Sequence, residues 1–249
     1  MSAPIPRAVL ITGATGGIGR ATALAFAEQG ASLLVNDLPG TALAELEQEL
    51  RTAGATAVVP AEGDVSRRDD VRAMVDAAVE AFGRIDVLVA NAGVIQGRHH
   101  VEELSEEDWD RVIDVNLKGT FLCCHYAIPH IPRHASGRVI TFSSELAYTG
   151  REELAHYCAA KSAIMGFTKS LARELGPAQI TVNAVAPGPV DTAMLRANPK
   201  SYNESRRLEI PLQRWGRPED IAATVRFLAS DDAAFYTGWV LSPNGGFVM

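Results

Sequence analysis

Residues 7–19 read Arg7-Ala8-Val9-Leu10-Ile11-Thr12-Gly13-Ala14-Thr15-Gly16-Gly17-Ile18-Gly19, and Arg20-Ala21-Thr22-Ala23-Leu24-Ala25-Phe26-Ala27 follows. The aliphatic run from Arg7 to Thr12 reads as a buried strand, the alanine-rich stretch as a helix, and the glycines between them as a turn. Glycine there lets the backbone turn tightly and approach a ligand, while the free N–H groups and positive end of the following helix attract a pyrophosphate. A glycine cluster alone serves a plain tight turn or an S-adenosylmethionine site equally well. Its place directly after the first strand is what points to a dinucleotide.

Short β-branched or aliphatic runs recur at Ser32 to Asp37, Thr56 to Pro60, Val87 to Ala90, Arg138 to Ser143, Thr181 to Ala186 and Trp239 to Leu241. Helical stretches separate most of them. Such alternation implies βαβ units, because parallel neighbours need a crossover of a dozen or more residues. The runs are apolar almost throughout, as expected of strands buried on both faces. The expected fold is therefore α/β: a single-domain, doubly wound parallel sheet of about seven strands, with helices on both faces, spanning residues 1–249. No linker, repeat or low-complexity tract divides it. The stretch from Thr192 to Trp215 is rich in Arg, Asn and Pro and breaks the rhythm, which predicts a mobile substrate lid over residues 192–215.

Strand two closes on Asn36-Asp37, and Asp37 stands 20 residues beyond Gly17. That is the usual distance from the glycines to an acid that grips the adenosine ribose. A carboxylate there repels the 2′-phosphate of NADP, and neither Gly16 nor Leu38 supplies a cation to bind it. NAD is the expected cofactor, NADP the less favoured one; a solvated strand end or helix cap is the plainer reading of Asp37.

The bulk properties narrow the partners. With 47% hydrophobic and 21% charged residues the composition is that of an ordinary globular protein. A net charge of −7 without a basic stripe opposes nucleic acid and anionic membrane surfaces. Cys123, Cys124 and Cys158 lack the paired spacing of a zinc site, and reduced thiols fit the cytoplasm. The apolar run from Ala8 to Thr12 is too short to cross a bilayer and has no cleavage-site character.

The most informative cluster is Tyr157-Cys158-Ala159-Ala160-Lys161, preceded 13 residues earlier by Ser144 at the end of a strand. Together with the Thr-Gly-x-x-x-Gly-x-Gly turn at 12–19, Asp64-Val65, Asn91-Ala92-Gly93, Asn116 and Pro187-Gly188 leading to Thr192, it resembles the short-chain dehydrogenase/reductase family along the whole chain. Each piece is common, whereas their joint order and spacing are specific. The resemblance implies a NAD(H)-dependent oxidoreductase that moves a hydride between a nicotinamide and a secondary alcohol or ketone. It nominates Asn116, Ser144, Tyr157 and Lys161 as catalytic.

Chemistry supports that nomination. Tyr157 and Lys161 lie four apart in a helix and project from one face. A neighbouring ammonium and the cationic nicotinamide both favour phenolate, so Lys161 is expected to lower the Tyr157 pKa. Tyr157 then takes the hydroxyl proton in oxidation and gives it back in reduction, while Ser144 holds the same oxygen. The resemblance adds that Lys161 bonds the nicotinamide ribose and that Asn116 holds a water on the proton path. It further implies that Pro187, Gly188, Val190 and Thr192 fix the carboxamide, that Asp64 and Val65 flank the adenine, and that Asn91 steadies the central strands. Thr12, Gly13, Thr15, Gly16, Gly17, Ile18, Gly19, Asp37, Leu38, Ala92 and Gly93 complete the expected cofactor site. A homotetramer or homodimer is implied by the same resemblance, through the helices that carry Asn116 and Tyr157 and through the apolar C-terminus.

Other residues carry less. The six histidines read as surface groups without a metal-ligand pattern, and Cys123-Cys124 as buried apolar filling. Glu145, directly after Ser144, departs from the small or apolar residue usual in the family. It either faces the substrate or pairs with Arg151 to hold the loop. The nearest alternative function is a reductase of 3-oxoacyl thioesters on a carrier protein, although Asp37 disfavours its usual NADPH. A non-catalytic dinucleotide sensor would leave Ser144, Tyr157 and Lys161 without purpose, as would a methyltransferase.

Overall fold

The protein is described by a computed structural model over residues 7–134, 137–197 and 200–249, with the backbone alone at 200–203. The chain runs β1 (Ala8–Thr12), α1 (Gly17–Ala27), β2 (Ser32–Asp37), α2 (Leu43–Thr52), β3 (Ala57–Glu62), α3 (Arg68–Phe82) and β4 (Val87–Ala90). There follow α4 (Glu106–Ile113), a π-helical turn (Asp114–Lys118), α5 (Gly119–Ala127), β5 (Arg138–Phe142), α6 (Leu146–Thr149), α7 (Ala155–Leu175) and β6 (Thr181–Val185). The last elements are α8 (Ala193–Arg196), α9 (Lys200–Leu208), α10 (Pro218–Ala229) and β7 (Val240–Leu241).

All seven strands form one parallel sheet in the order β3-β2-β1-β4-β5-β6-β7. The order reverses between β1 and β4, so the crossover helices diverge there and leave a crevice at the carboxyl ends of the strands. Alternate residues of each strand feed two cores. Val9, Ile11, Leu33 and Val35 pack with Phe26 of α1 and Ile221 and Val225 of α10. Leu10, Leu34, Leu88 and Val139 pack with Val75 of α3, Cys123 of α5 and Leu171 of α7. This is the doubly wound sheet with helices on both faces that the aliphatic runs predict.

Two details differ from the sequence reading. β3 starts one residue late and runs past Pro60 to Glu62. It is an edge strand paired only with β2, and a proline there sacrifices no ladder bond. The helical stretch that Ser105 opens is interrupted by the π turn, which the sequence reading did not foresee. Ser105 caps α4 through its hydroxyl, which accepts from Asp108 N at 3.1 Å. At the turn, Asn116 Nδ2 donates to the Val112 carbonyl at 2.9 Å, and Thr120 Oγ1 donates to the Asn116 carbonyl at 2.7 Å. Side chains thus compete for helix carbonyls where the backbone widens.

The opposite, amino-terminal rim of the sheet is tied by charge. Asp86 accepts from Ala8 N at 2.8 Å and from Arg84, while buried Arg138 donates to the Ser230 carbonyl and to Asp231. Among the described residues, no helix is long and apolar enough to cross a membrane.

Candidate active site

A cleft of roughly 730 Å³ opens at the carboxyl ends of the strands. The glycine turn forms its floor. Gly13 takes a left-handed φ of 64°, and a Cβ at Gly19 would stand 2.1 Å from the Gly13 carbonyl oxygen and 2.9 Å from Ala14 Cα. Only hydrogen fits there. Asn91 locks the turn to the end of β4, donating from Nδ2 to the carbonyls of Thr12 at 2.9 Å and Gly13 at 3.0 Å. Thr12 itself is buried beneath the turn and does not line the cleft; its Oγ1 accepts from the backbone N–H groups of Asn91 and Ala92, both at 3.1 Å. Its place in the expected cofactor site is corrected accordingly: it braces the floor. Every other residue expected to bind cofactor borders the cleft.

Asp37 closes the β2 side. Its Oδ2 accepts from the Thr15 backbone N at 2.9 Å and Thr15 Oγ1 at 2.6 Å, and Oδ1 accepts from Leu38 N at 2.9 Å. The carboxylate therefore fixes the shape of the turn as well as facing the cleft. Asp64 accepts from Ser66 on one oxygen and from Arg111 Nη1 at 3.1 Å on the other. Burial alone would raise its pKa, but the Ser66 and Arg111 hydrogen bonds hold it below the ordinary carboxylate range. Arg111 went unnoticed in the sequence, where it reads as one more charge on the polar face of α4. Opposite, Thr192 lays its methyl against Gly17, and Gly188 sits so close to Asn244 that a Cβ would meet its Cα at 2.6 Å.

The reactive end is built on β5 and α7. Ser143 Oγ donates to the Lys161 carbonyl at 2.7 Å, and Lys161 Nζ donates to the Phe142 carbonyl at 2.9 Å, so the helix is pinned to the strand by both groups of one residue. Tyr157 and Lys161 share the cleft-facing side of α7, as their spacing requires, with the ammonium 5.7 Å from the ring centroid. The ring is packed by Val112, Leu146, Leu154 and Ala160. Asn116 is fully buried beside Gly93 and Lys161; its Nδ2 donates to the carbonyls of Val94 and Val112, both at 2.9 Å, while its Oδ1 has no partner among the described residues. An amide oxygen buried without a donor marks the place where a water or ligand hydroxyl completes the site.

Burial pushes the Tyr157 phenol above its ordinary pKa and the charge of Glu145 pushes it further, while the Ser144 hydroxyl pulls the other way by hydrogen bonding. Burial draws Lys161 itself down to about 8. Lys161 Nζ gives one of its three N–H groups to the Phe142 carbonyl, and burial favours the neutral phenol at Tyr157.

Glu145 borders the cleft beside Ser144. Its Oε2 accepts from Ser144 Oγ at 2.8 Å, and the opposite charge acting on it is Arg206 of α9. Arg206 is buried at the cleft wall, lies 4.2 Å from the Phe247 ring centroid and pairs with Glu209 at 3.0 Å. His156 also departs from the surface reading: it is fully buried, with Nε2 2.5 Å from the Gln96 carbonyl oxygen. Cys123 and Cys124 are buried apolar filling, and burial pushes Cys123 up to about 12.

The residues present suit a dinucleotide. The glycine floor admits a close backbone approach at the amino end of α1, Asp37 faces the cleft at the end of β2, and an orphaned amide oxygen lies beside the Tyr157–Lys161 pair.

Comparison with known proteins agrees with this geometry. A family model described as Enoyl-(Acyl carrier protein) reductase matches residues 13–248. The chain is 40% identical over 240 residues to the 3-oxoacyl-[acyl-carrier-protein] reductase FabG of Thermotoga maritima, covering 96% of this chain and 97% of that one. It is 42% identical over 240 residues to the (2S)-[(R)-hydroxy(phenyl)methyl]succinyl-CoA dehydrogenase subunit BbsD of Thauera aromatica, covering 96% of each. Among solved structures, a short chain dehydrogenase from Burkholderia cenocepacia J2315 in complex with NADP superposes with a TM-score of 0.92 at 30% identity, over 98% of this chain and 99% of that one. Shared sequence across nearly the full length, the switch-point cleft and the glycine floor lead to one assignment: the chain is a nicotinamide-dependent oxidoreductase and belongs to the short-chain dehydrogenase/reductase family.

Proposed function

We propose that the chain reduces 3-oxoacyl thioesters to 3-hydroxyacyl thioesters, the alternative reading of the sequence, in preference to a general secondary alcohol or ketone activity. Near-full-length identity of about 40% to relatives named for thioesters carries this reading. One is named for a 3-oxoacyl substrate; the other's name describes a CoA thioester whose hydroxyl-bearing carbon is attached to carbon 2 of the succinyl group, third from the thioester end. The chemistry at carbon 3 is common to both.

A bound reduced nicotinamide supplies the hydride. The chain's own residues then manage the substrate oxygen and its proton. Tyr157, held as a phenol, donates its proton to the oxygen that becomes the alcohol. Ser144 steadies the charge growing on that oxygen. Lys161, with its pKa drawn to about 8, holds a proton within exchange range of neutral pH and bonds the ribose. Asn116 Oδ1 receives the water that reconnects this end of the cleft to solvent. Residues of the 192–215 stretch, among them Met194, Arg206 and Trp215, border the cleft and serve as the substrate lid; residues 198 and 199 of that stretch lie outside the described residues.

The preferred cofactor is NADH. Asp37 borders the cleft at the end of β2, and a carboxylate set beside a 2′-phosphate would cost several kcal/mol, enough for at least about tenfold discrimination. The test is a steady-state assay of a short 3-oxoacyl-CoA ester beside simple ketones, with NADH and NADPH. Thioester turnover with a higher kcat/KM for NADH is expected; faster reduction of plain ketones would defeat the substrate reading, and faster use of NADPH the cofactor reading.

The chain acts in the cytoplasm as a homodimer or homotetramer. Trp109 of α4 and Phe121 of α5 are exposed on the helical side, and Phe235, Trp239 and Met249 at the C-terminal side. Light scattering is expected to give a multiple of the 26.6 kDa chain mass, and a strict monomer would contradict it.

A further inference from the structure

Glu145 stands where the Ser144–Tyr157 proton arrangement is decided. Ser144, Glu145 and Tyr157 are all buried at the same end of the cleft. Because the Ser144 hydroxyl donates to Glu145 Oε2 at 2.8 Å, that proton is engaged, and Ser144 Oγ is left as an acceptor, taking the Leu146 N–H at 3.2 Å. A substrate oxygen entering the site must then draw its first proton from Tyr157. Only when negative charge grows on that oxygen does it outcompete the carboxylate for the Ser144 hydroxyl.

We propose that Glu145 is a positioning residue that keeps the proton on Tyr157 and thereby sets the pH range in which each direction of the reaction runs. The inference rests on Tyr157 being the acid of the proposed reduction. Tyr157 and Cys158 of α7 and Arg206 of α9 lie within electrostatic reach of Glu145, and Lys161 lies one turn further along α7, engaged with the Phe142 carbonyl. Burial raises the Glu145 pKa, while the Ser144 hydrogen bond and Arg206 act against that rise; in its ionised form the carboxylate disfavours a second negative charge on the phenol. Glu145 leaves the overall equilibrium untouched, since the reactants alone determine it.

The sign follows directly. Oxidation needs phenolate and rises with pH through the Tyr157 pKa; reduction needs phenol and falls through it. Removing the anion lowers that pKa and moves both limbs to lower pH. Glu145→Gln retains an oxygen that can accept the Ser144 hydroxyl while discarding the charge. Its pH profiles of kcat/KM, taken in both directions with the cofactor saturating, are expected to shift down by roughly one unit. Glu145→Ala should shift the same way, and Glu145→Asp should keep the original limbs even if its rate falls. Should Glu145→Gln lose stability, the Ala variant supplies the same reading, and proton release on binding NAD⁺ follows the phenol without turnover. Loss of rate with unmoved limbs in both neutral variants would overturn the proposal. Failure of the Tyr157 assignment itself is separately visible, as full turnover in Tyr157→Phe.

Discussion

Tyr157→Phe is expected to fold, to bind NADH as the parent chain does, and to turn over about 10²- to 10⁴-fold more slowly. The substitution deletes one oxygen and nothing else. The ring keeps its packing against Val112, Leu146, Leu154 and Ala160, and the lost hydroxyl leaves Ser144 still bonded to Glu145 and to the Leu146 N–H. Any change in melting temperature is thus small, while the proton source for the substrate oxygen is gone. Steady-state kcat alongside a nicotinamide-fluorescence titration separates the two effects. Near-normal turnover would end the assignment of Tyr157 as the acid.

Gly19→Ala is expected to damage the cofactor site through the backbone. The added methyl would stand 2.1 Å from the Gly13 carbonyl oxygen and 2.9 Å from both Ala14 Cα and Asn91 Nδ2. No flexible side chain can yield there, so the turn must open and the Asn91 bonds to Thr12 and Gly13 must lengthen. Overpacking of this kind costs about 1–3 kcal/mol, or more where backbone moves. At the size of this chain that is a fall in Tm of roughly 2–12 °C. NADH affinity should drop at least about tenfold, because the amide groups that meet the pyrophosphate are displaced. Unchanged melting and unchanged binding together would contradict the geometry of the turn.

How much of this was legible in the sequence follows from the range of the forces involved. The sheet was readable because each strand is a nearly unbroken aliphatic run, and burial on both faces leaves no other explanation for Val87-Leu88-Val89-Ala90. The Tyr157–Lys161 pair was readable because helical spacing alone places both on one side. Where local signal ended, the reading stopped early or went wrong. Pro60 looked like a strand end, although edge position, a property of the whole sheet, makes it harmless. The π turn around Asn116 depends on side chains competing for carbonyls, and spacing does not encode that. The raised pKa of Tyr157 depends on its burial and on Glu145, and the Lys161 bond to a strand carbonyl 19 residues away is likewise a tertiary contact that no helical pattern reveals. Arg206 and Arg111 look like solvated charges until the cleft is assembled around them.

The two rims of the sheet divide the labour of the molecule. Asp86, Arg84, Arg138 and Asp231 hold the amino-terminal edge together, whereas the side chains proposed for chemistry lie at the carboxyl ends. A lineage built on this plan can exchange loops at one edge to acquire new substrates while the far edge preserves heat tolerance. Improvements in durability and changes in selectivity can therefore accumulate independently, each without undoing the other.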